Sequence, residues 1–220
     1  MDRKAIFLIP FAFIMLLIFV YRSPDPFVAY RHHLSDPVSH HVVKAIESMK
    51  NPEKGDVAIN IGLGVGSESL LLLQKGFDVI GVDVARTALR FVQERSDIGA
   101  FGDRFRAIWG PPSMVYLKDI HELSVVIVDP SIYIEWTYDS DLFWSPLIDK
   151  IKPGGYFIGR AMDSVYVDLK SHDIKNIPSL TKEDVLRQFQ KFEILWFQEI
   201  SSGDIGGRVY KTYEIVARKL

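Results

Sequence analysis

The sequence predicts an α/β fold in which a mostly parallel sheet is covered by helices. The main evidence is residues 57–83, where a short apolar run, a glycine-rich loop, a leucine-rich run and a second apolar run ending on Asp83 follow one another. This order is typical of a βαβ unit that binds a nucleotide. Two further apolar runs, at 124–128 and 156–160, have the length of buried strands. The chain closes on two more such runs, which are joined by a glycine-rich turn.

The first part of the chain predicts a membrane anchor. Residues 5–21 are almost wholly apolar, and a spanning helix needs about 17–25 such residues. A cleaved signal peptide is the alternative, but the segment that follows offers no small-residue cleavage pattern. We therefore expect residues 1–22 to form an uncleaved transmembrane helix, residues 23–36 a linker and residues 37–220 one α/β domain. Basic residues flank the apolar run on both sides, so charge does not decide its orientation.

Composition excludes several classes of function. The chain of 220 residues contains no cysteine, which rules out a disulfide framework, a thiolate nucleophile and a zinc site built on cysteine. Its formal net charge is -2, so no broad electrostatic attraction to nucleic acid is expected.

The domain is expected to begin with a helix that packs against the sheet. Asp36 and Pro37 have the residue types of an N-cap and a first helical residue. An apolar stripe at helical spacing then runs from Val38 to Met49.

Four histidines lie beside this helix start as two adjacent pairs: His32 with His33, and His40 with His41. Adjacent pairs lack the spacing of known metal sites, and neither a carboxylate nor a thiolate completes one. A solvated face is therefore the preferred interpretation, and no metal site is predicted.

The loop after the first strand carries glycines at alternate positions, Gly62, Gly64 and Gly66. Glycine lets the backbone turn sharply and lets a ligand approach where a Cβ would otherwise stand. The next helix begins directly after the loop, so its free N–H groups face the ligand site. Asp83 ends the second strand, where a carboxylate can accept hydrogen bonds from ribose hydroxyls. A plain βαβ unit with a flexible turn is the alternative.

The loop spacing discriminates between nucleotides. The third glycine comes one place too early for a dinucleotide-binding loop, and no G-K-S/T sequence is present to form a P-loop. The spacing G-x-G-x-G, with an acid at the end of the second strand, resembles motif I and the following acidic motif of class I S-adenosylmethionine-dependent methyltransferases.

This resemblance implies a Rossmann-like, seven-stranded, mostly parallel sheet that ends in an antiparallel hairpin. It also implies S-adenosylmethionine as the cofactor, with Gly62, Gly64 and Gly66 under its methionine part and Asp83 on its ribose. The family usually has Asp or Glu two residues before the first glycine, where this chain has Asn60. An amide can still hydrogen-bond to the cofactor, but it brings no negative charge to the ammonium group.

The next elements extend the expected sheet. We expect a helix at 85–95, a third strand at 105–109 and a fourth at 124–128. The third strand ends at Gly110 without the acid that many methyltransferases carry near the adenine. Contacts to an adenine are therefore expected from backbone or apolar groups.

Asp129 follows the fourth strand directly. Ligands of open parallel sheets bind at the carboxyl ends of the strands, so Asp129 is expected in the cleft as a cofactor-binding residue and as the candidate catalytic base. Tyr133 and Asp163 are expected behind it, with Tyr133 as the second catalytic candidate. A loop-capping role for Asp129 is the alternative. The string D-P-S-I-Y also resembles, in part, the D/N-P-P-Y/F motif of amino-group methyltransferases, which grips a planar amine.

A helix at 139–151 should lead through a K-P-G-G turn into a fifth strand at 156–160. This stretch resembles the one before strand five of class I methyltransferases. Residues 161–179 are expected to form a loop that covers the substrate cleft.

The end of the chain predicts a helix and a closing hairpin. Thr181 and Asp184 have the pattern of a capping box for a helix at 182–191. Strands at 192–200 and 209–217 should form the hairpin, with a glycine-rich turn between them. The motifs K-P-G-G-Y, A-M-D and K-E-x-x-L-R, and a last strand ending in A-R-K, bear a looser resemblance to tellurite-resistance-type methyltransferases.

Together these features predict a membrane-anchored enzyme that transfers a methyl group from S-adenosylmethionine to a small, lipophilic acceptor. An anchored protein substrate is an alternative acceptor. Because the cofactor is made in the cytosol, the domain is expected to face the cytosol. Two other classes stay open. One is a degenerate methyltransferase fold that acts as a binding or scaffold module, which Asn60 favours. The other is an aminopropyltransferase- or dehydrogenase-like enzyme.

Overall fold

A seven-stranded sheet forms the centre of the domain. The computed structural model describes residues 28–110, 120, 122–128, 145–162, 182–205 and 208–220. The strands are β1 (Val57–Ile61), β2 (Asp78–Asp83), β3 (Phe105–Trp109), β4 (Leu123–Val128), β5 (Ile151–Met162), β6 (Phe192–Ile205) and β7 (Arg208–Lys219).

The strands lie side by side in the order β3-β2-β1-β4-β5-β7-β6. The pairs among β1 to β5 are parallel, and β7 runs antiparallel to both β5 and β6. The predicted seven-stranded, mostly parallel sheet with a C-terminal antiparallel hairpin is therefore confirmed.

Helices connect and cover the strands. The described helices are α1 (Val28–His33), α2 (His40–Ser48), α3 (Ser67–Lys75), α4 (Arg86–Gln93), α5 (Ser96–Gly99), α6 (Ser145–Asp149) and α7 (Lys182–Arg187), with a 3-10 turn at Gly102–Arg104. The helix α3 forms as the leucine-rich run predicts, and it ends at Gly76, whose φ of 118 is accessible to glycine. Burial of Leu72 and Leu73 against the sheet stabilises this connection by about 2 kcal/mol per side chain.

Both faces of the sheet are buried, as a parallel sheet requires. On one face, side chains of α2, α3 and α4 pack against Ala58, Val125 and Ile158. On the other face, Phe157 contacts Phe189, which follows α7, with ring centroids 4.8 Å apart. The strand β4 is buried at every position, which explains why its sequence is a continuous apolar run rather than an alternating one.

The start of the domain differs from the prediction. The helix α2 begins at His40, not at Pro37, and Asp36 is not its N-cap. The Asp36 carboxylate instead lies 2.6 Å from Nδ1 of His33, and α1 occupies part of the segment predicted as a linker. Ser39 stands at the N-cap position without capping its own helix. Its hydroxyl accepts a hydrogen bond from Arg160 on β5 at 2.5 Å, so a tertiary contact outweighs the local capping signal.

Three strands are longer than predicted. The strand β5 begins at Ile151 and includes the K-P-G-G residues predicted as a turn, at a register shift against β4. The strands β6 and β7 extend through most of the predicted glycine-rich turn, to the pair Ile205 and Arg208. Ser201, Ser202 and Asp204 of β6 pair with residues of β7, whereas residues 152–155 and Gly203 fall at register shifts between paired positions. The last helix, in contrast, ends at Arg187 rather than at residue 191.

Some predictions fall on other parts of the chain. Within the described ranges, no helix is long and apolar enough to cross a membrane. The predicted anchor at 5–21, the capping residue Thr181 and the cleft-covering loop beyond Met162 lie outside those ranges. Ala161 and Met162, predicted as loop, belong to β5.

A buried polar network joins α2 to the β5–β7 pair. Glu214 on β7 accepts a hydrogen bond from Nε of Arg160 at 3.0 Å, and its other carboxylate oxygen lies 3.2 Å from Nδ1 of His41. His41 and Glu214 are buried among the side chains of this face. Burial holds the pKa of His41 below its usual 6.5, although the carboxylate of Glu214 opposes this. His41 is therefore neutral near pH 7, and the interpretation of all four histidines as a solvated face is wrong for this one.

The pH dependence of stability is expected to show the buried state of His41. Below pH 6.5, the ordinary pKa of this group, the unfolded chain takes up a proton that the folded chain does not. The free energy of unfolding therefore decreases as the pH is lowered. Above that value, His41 contributes no pH dependence. Urea unfolding at about pH 7.5 and about pH 5.5 measures the loss, which should be smaller in His41→Gln than in the wild type.

The exposed histidine His32 offers a matched control. The variant His32→Gln should lose the same stability between the two pH values as the wild type does. An unchanged loss in His41→Gln would contradict a buried, neutral His41.

Candidate functional site

The loop that follows β1 is fixed to the end of β2. The backbone N–H groups of Gly62 and Leu63 both donate to the carbonyl oxygen of Val82, at 2.9 Å and 3.0 Å. The N–H of Gly66 closes the loop on the carbonyl of Leu63 at 2.8 Å, and α3 begins at the next residue. The loop is therefore a built turn at the carboxyl ends of two adjacent parallel strands, which is where open sheets bind ligands.

Two of the loop glycines are needed for different reasons. Gly66 has a φ of 82, and a Cβ placed there would lie 3.0 Å from the side chains of Val92 and Ile98. Gly64 has a φ of 52, and among the described residues a Cβ there would meet only the carbonyl oxygen of Gly62, at 3.9 Å. Gly66 thus permits close packing against α4 and α5, whereas Gly64 leaves one side of the loop open for a ligand.

Asp83 ends β2 beside this loop, as predicted. One oxygen of its carboxylate accepts the N–H of Gly64 at 3.0 Å, and the other accepts the N–H of Ala85 at 2.7 Å. A carboxylate has about four lone-pair positions, so each oxygen keeps capacity for a hydroxyl donor. The structure therefore brings the predicted glycine loop, through Gly64, into direct contact with the predicted acid.

Asn60 lies on β1 and is 1% exposed. Its Nδ2 donates to Oγ of Ser69 at 3.0 Å, which attaches the strand to α3. Its Oδ1 has no hydrogen-bond partner in the described part of the chain. A buried acceptor without a donor costs about 1–3 kcal/mol, so this atom marks a position where a donor group belongs.

Two cavities adjoin the loop. The larger, of about 230 Å³, lies between the loop and the segment before α2, and its lining includes Gly62, Gly64 and Glu68. The smaller, of about 30 Å³, is a polar chamber lined in part by Asn60, Glu68 and Arg160. Glu68 is in the first turn of α3 and borders both cavities. Sequence reasoning missed Glu68, although an acid in the first turn after a glycine loop was the available signal.

An apolar platform stands next to Asp83. Val84 and Trp109 are 56% and 55% exposed, and the indole N–H of Trp109 donates to the carbonyl of Val84 at 3.0 Å. The guanidinium of Arg86 lies over the indole ring, 4.0 Å from its centroid. Trp109 ends β3, so the expected apolar contacts beyond the third strand have a physical candidate.

A cavity of about 700 Å³ lies at the opposite edge of the sheet, near the amino ends of the strands. Its lining includes Asp56, Arg106 and Lys152, and an ion pair between Asp56 and Lys152 crosses it. We favour the smaller cavities, because the turn glycines, the free helix N-terminus and the unpaired acceptor of Asn60 are all at the carboxyl edge.

The remaining site predictions have separate outcomes. Asp129 and Tyr133, the predicted catalytic pair, lie outside the described residues, as does Asp163. The strand that precedes Asp129 ends at Val128, which pairs with Ile61 at the carboxyl edge. Within the described ranges, no group of three or more histidine, aspartate or glutamate side chains is placed to hold a metal ion.

Alanine substitutions at Gly64 and Gly66 should distinguish a glycine that leaves space beside the loop from one that permits close packing. Gly66→Ala should lose about 1–2 kcal/mol for a left-handed backbone and about 1–3 kcal/mol for overpacking against Val92 and Ile98. Gly64→Ala should lose only the first of these terms, because its φ lies within the left-handed region that L-residues can reach. Denaturant unfolding of both variants measures the difference, and equal losses would contradict it.

Comparison with known proteins gives a fold but no close relative. No protein family model and no curated protein sequence matches the chain. Geranyl diphosphate methyltransferase in complex with S-adenosylmethionine is 13% identical with a TM-score of 0.57, and the match covers 82% of this chain and 84% of that chain. An S-adenosylmethionine-dependent methyltransferase from Methanosarcina mazei is 16% identical with a TM-score of 0.51, covering 77% and 95%. The [4+2]-cyclase SpnF is 13% identical with a TM-score of 0.57, covering 81% and 80%.

Proposed function

We propose that this chain, which has the fold of the class I methyltransferases, binds S-adenosylmethionine and transfers its methyl group to an acceptor. The observation that carries the proposal is the hydrogen bond between the N–H of Gly64 and the carboxylate of Asp83. It joins the glycine turn to the carboxylate of Asp83 at the carboxyl ends of β1 and β2, which supports a role for Asp83 in holding a ribose. A likeness of fold alone would not suffice, because one fold supports many reactions.

The residues around the loop match the parts of this cofactor. Asp83 would hold the ribose hydroxyls with the oxygen lone pairs that its backbone contacts leave over. Val84 and Trp109 would cover the adenine, since both are exposed beside Asp83. The open side of Gly64 would admit the methionine part, and Oδ1 of Asn60 would receive a donor from it.

When bound, the cofactor supplies an activated methyl group on a sulfonium, which is already a good leaving group. The protein then has to hold the acceptor in line at near-attack distance, and such positioning accounts for much of the rate. A base is needed only if the acceptor must lose a proton. We propose Asp129 for that role, with Tyr133 beside it, because Asp129 directly follows the strand that ends at Val128.

The acceptor side of the proposal rests on the N-terminal sequence. An apolar anchor at residues 5–21 would hold the domain at a membrane, where a small lipophilic acceptor would reach it through the bilayer. The domain would face the cytosol, where S-adenosylmethionine is made. Protease protection of the C-terminal domain in sealed membrane vesicles would contradict this orientation if the domain proved to lie on the other side.

A binding or scaffold module is the second candidate function. The observation that favours it is Asn60, which places a neutral amide where an acid is usual in the family that this sequence resembles. Such a module would keep the fold, and it would bind S-adenosylmethionine weakly or not at all. The [4+2]-cyclase among the similar structures shows that this fold can also carry other chemistry.

The ribose contact of Asp83 can be tested by calorimetry with S-adenosylhomocysteine, the demethylated product. Loss of hydrogen bonds to a charged group costs about 1.5–3 kcal/mol, so Asp83→Asn should weaken binding by about 10- to 100-fold. Removal of one ribose hydroxyl from the ligand should weaken binding to the wild type by a similar factor. The same removal should have little further effect on Asp83→Asn, because the partner of that hydroxyl is already altered.

Asp103, an exposed acid in the 3-10 turn, provides the matched control. The variant Asp103→Asn should bind S-adenosylhomocysteine as tightly as the wild type. Thermal unfolding confirms that each variant is folded. If the wild type binds NAD but neither S-adenosylmethionine nor S-adenosylhomocysteine, the proposal is wrong; if it binds none of the three, the scaffold candidate is favoured.

Asp129 can be tested once methyl transfer to an acceptor is measured. At saturating S-adenosylmethionine, the turnover of Asp129→Asn should fall by about 10²- to 10⁴-fold if the residue removes a proton. Full turnover by this variant would exclude the role.

A further inference from the structure

The small polar chamber behind the glycine loop has room for one polar group. Its volume is about 30 Å³, whereas one water molecule requires about 10–15 Å³ on the same kind of measure. The polar side chains of its lining come from four elements or their ends: Ser39, His41, Asn60, Glu68 and Arg160.

The chamber contains an acceptor that has no donor among the residues that the structure describes. Nδ2 of Asn60 is already bound to Oγ of Ser69, and Oδ1 is the end of the amide without a partner. The side chain is 1% exposed, so solvent does not satisfy it. If the amide were turned over, Ser69 would still satisfy only one of its two ends. The chamber therefore calls for a group that donates hydrogen bonds.

The charges around the chamber favour a cationic donor. The guanidinium of Arg160 is committed to Glu214, at 2.9 Å and 3.0 Å, and to Ser39 at 2.5 Å. His41 is neutral near pH 7, because burial lowers its pKa. The carboxylate of Glu68 supplies negative charge at the boundary between the chamber and the larger loop cavity.

Glu68 also has an ordinary structural explanation. An acid in the first turn of a helix interacts favourably with the helix dipole, by about 0.3–1 kcal/mol. That explanation requires only a position in the first turn, and it does not require a half-buried side chain. Glu68 is half-buried, and it borders both the cavity beside Gly64 and the chamber that holds the unpaired oxygen of Asn60.

We propose that Glu68 and Asn60 together bind the ammonium group of the amino-acid part of S-adenosylmethionine, with Glu68 supplying the charge and Asn60 a neutral acceptor. This inference rests on the proposed function. A primary ammonium has three donors, of which one would reach Oδ1 of Asn60 and another the carboxylate of Glu68. The negative charge is thereby moved from the end of β1 to the first turn of α3.

There is a physical reason for the charge to be carried by Glu68 while position 60 has a neutral amide. A carboxylate at position 60 would be almost fully buried, and a buried charge without its partner is costly in the ligand-free protein. The amide avoids that cost. Glu68 is more accessible, so it can carry the charge with a smaller loss of hydration. Glu68 is therefore inferred to be a specificity-determining residue for ligands that carry an amino-acid part.

Two ligands that differ in this part provide the test. S-adenosylhomocysteine contains the amino-acid group, whereas 5′-methylthioadenosine has the same nucleoside and lacks it. Calorimetry on the full chain should show that Glu68→Gln weakens binding of S-adenosylhomocysteine by about tenfold or more. Binding of 5′-methylthioadenosine should change by less than about twofold, because no contact to the nucleoside is altered. The exposed acid Glu94 gives the control Glu94→Gln, which should bind both ligands as the wild type does.

A second variant distinguishes charge from structure. Adding Asn60→Asp to Glu68→Gln returns a carboxylate to the chamber, so the double variant should recover at least part of the lost affinity for S-adenosylhomocysteine. The inference is overturned if Glu68→Gln binds S-adenosylhomocysteine like the wild type. It is also overturned if Glu68→Gln loses both ligands equally, since Glu68 would then act only through the shape of the loop. Failure of the wild type to bind either ligand would instead overturn the proposed function itself.

Discussion

The hydrogen bond from the N–H of Gly64 to the carboxylate of Asp83 is the contact on which the rest of the site depends. It joins the loop after β1 to the end of β2, and so makes one rigid edge from two separate connections. The second oxygen of the same carboxylate holds Ala85, so the start of the next connection is fixed as well. This arrangement fixes the glycine loop against Asp83 directly before the start of α3.

Parallel pairing makes the arrangement possible. Asn60 is opposite Gly81 and Ile61 is opposite Val82, so the glycine loop after β1 and Asp83 at the end of β2 lie at the same edge. Gly81 also admits the side chain of Leu63, because a Cβ there would lie 2.7 Å from a methyl group of Leu63. The loop can therefore fold back over the sheet instead of projecting from it.

The buried polar network that joins α2 to the β5–β7 pair brings polar and charged side chains from distant parts of the chain to the same edge. Arg160 on β5 and Glu214 on β7 are opposite each other in the antiparallel pair, and α2 places His41 against them. The chamber that contains the unpaired oxygen of Asn60 lies beside this network. Glu214 is the buried member of the ion pair, so removal of Arg160 would leave its charge without this partner in a buried position. The network orients one wall of the candidate site.

Local patterns in the sequence were sufficient for the sheet, the glycine turn and Asp83. Apolar period, glycine spacing and an acid at a strand end are local properties, and they need no knowledge of partners. Gly62, Gly64 and Gly66 were found in this way, whereas Asn60 was singled out by the resemblance to motif I of the class I methyltransferases. Predictions failed where a neighbour in space outweighed a local signal. The D-P sequence predicted a helix start at Pro37, but α2 begins at His40, and Ser39 before it contacts Arg160. The polar residues before Ile205 belong to strand β6, because β7 pairs with them.

Only the tertiary structure decided which polar side chains share a space. Glu68 and Asn60 are eight positions apart in the sequence, and nothing in their spacing indicates that they border one chamber. His41 resembled a solvated histidine until β7 placed Glu214 against it and buried both. Burial, the absence of a donor for Oδ1 of Asn60 and the lowered pKa of His41 depend on what the fold brings near each group. The sequence by itself thus determined the strands of the sheet and the glycine turn, while long-range packing decided the charges and the unpaired acceptor, because those depend on distances between atoms far apart in the chain.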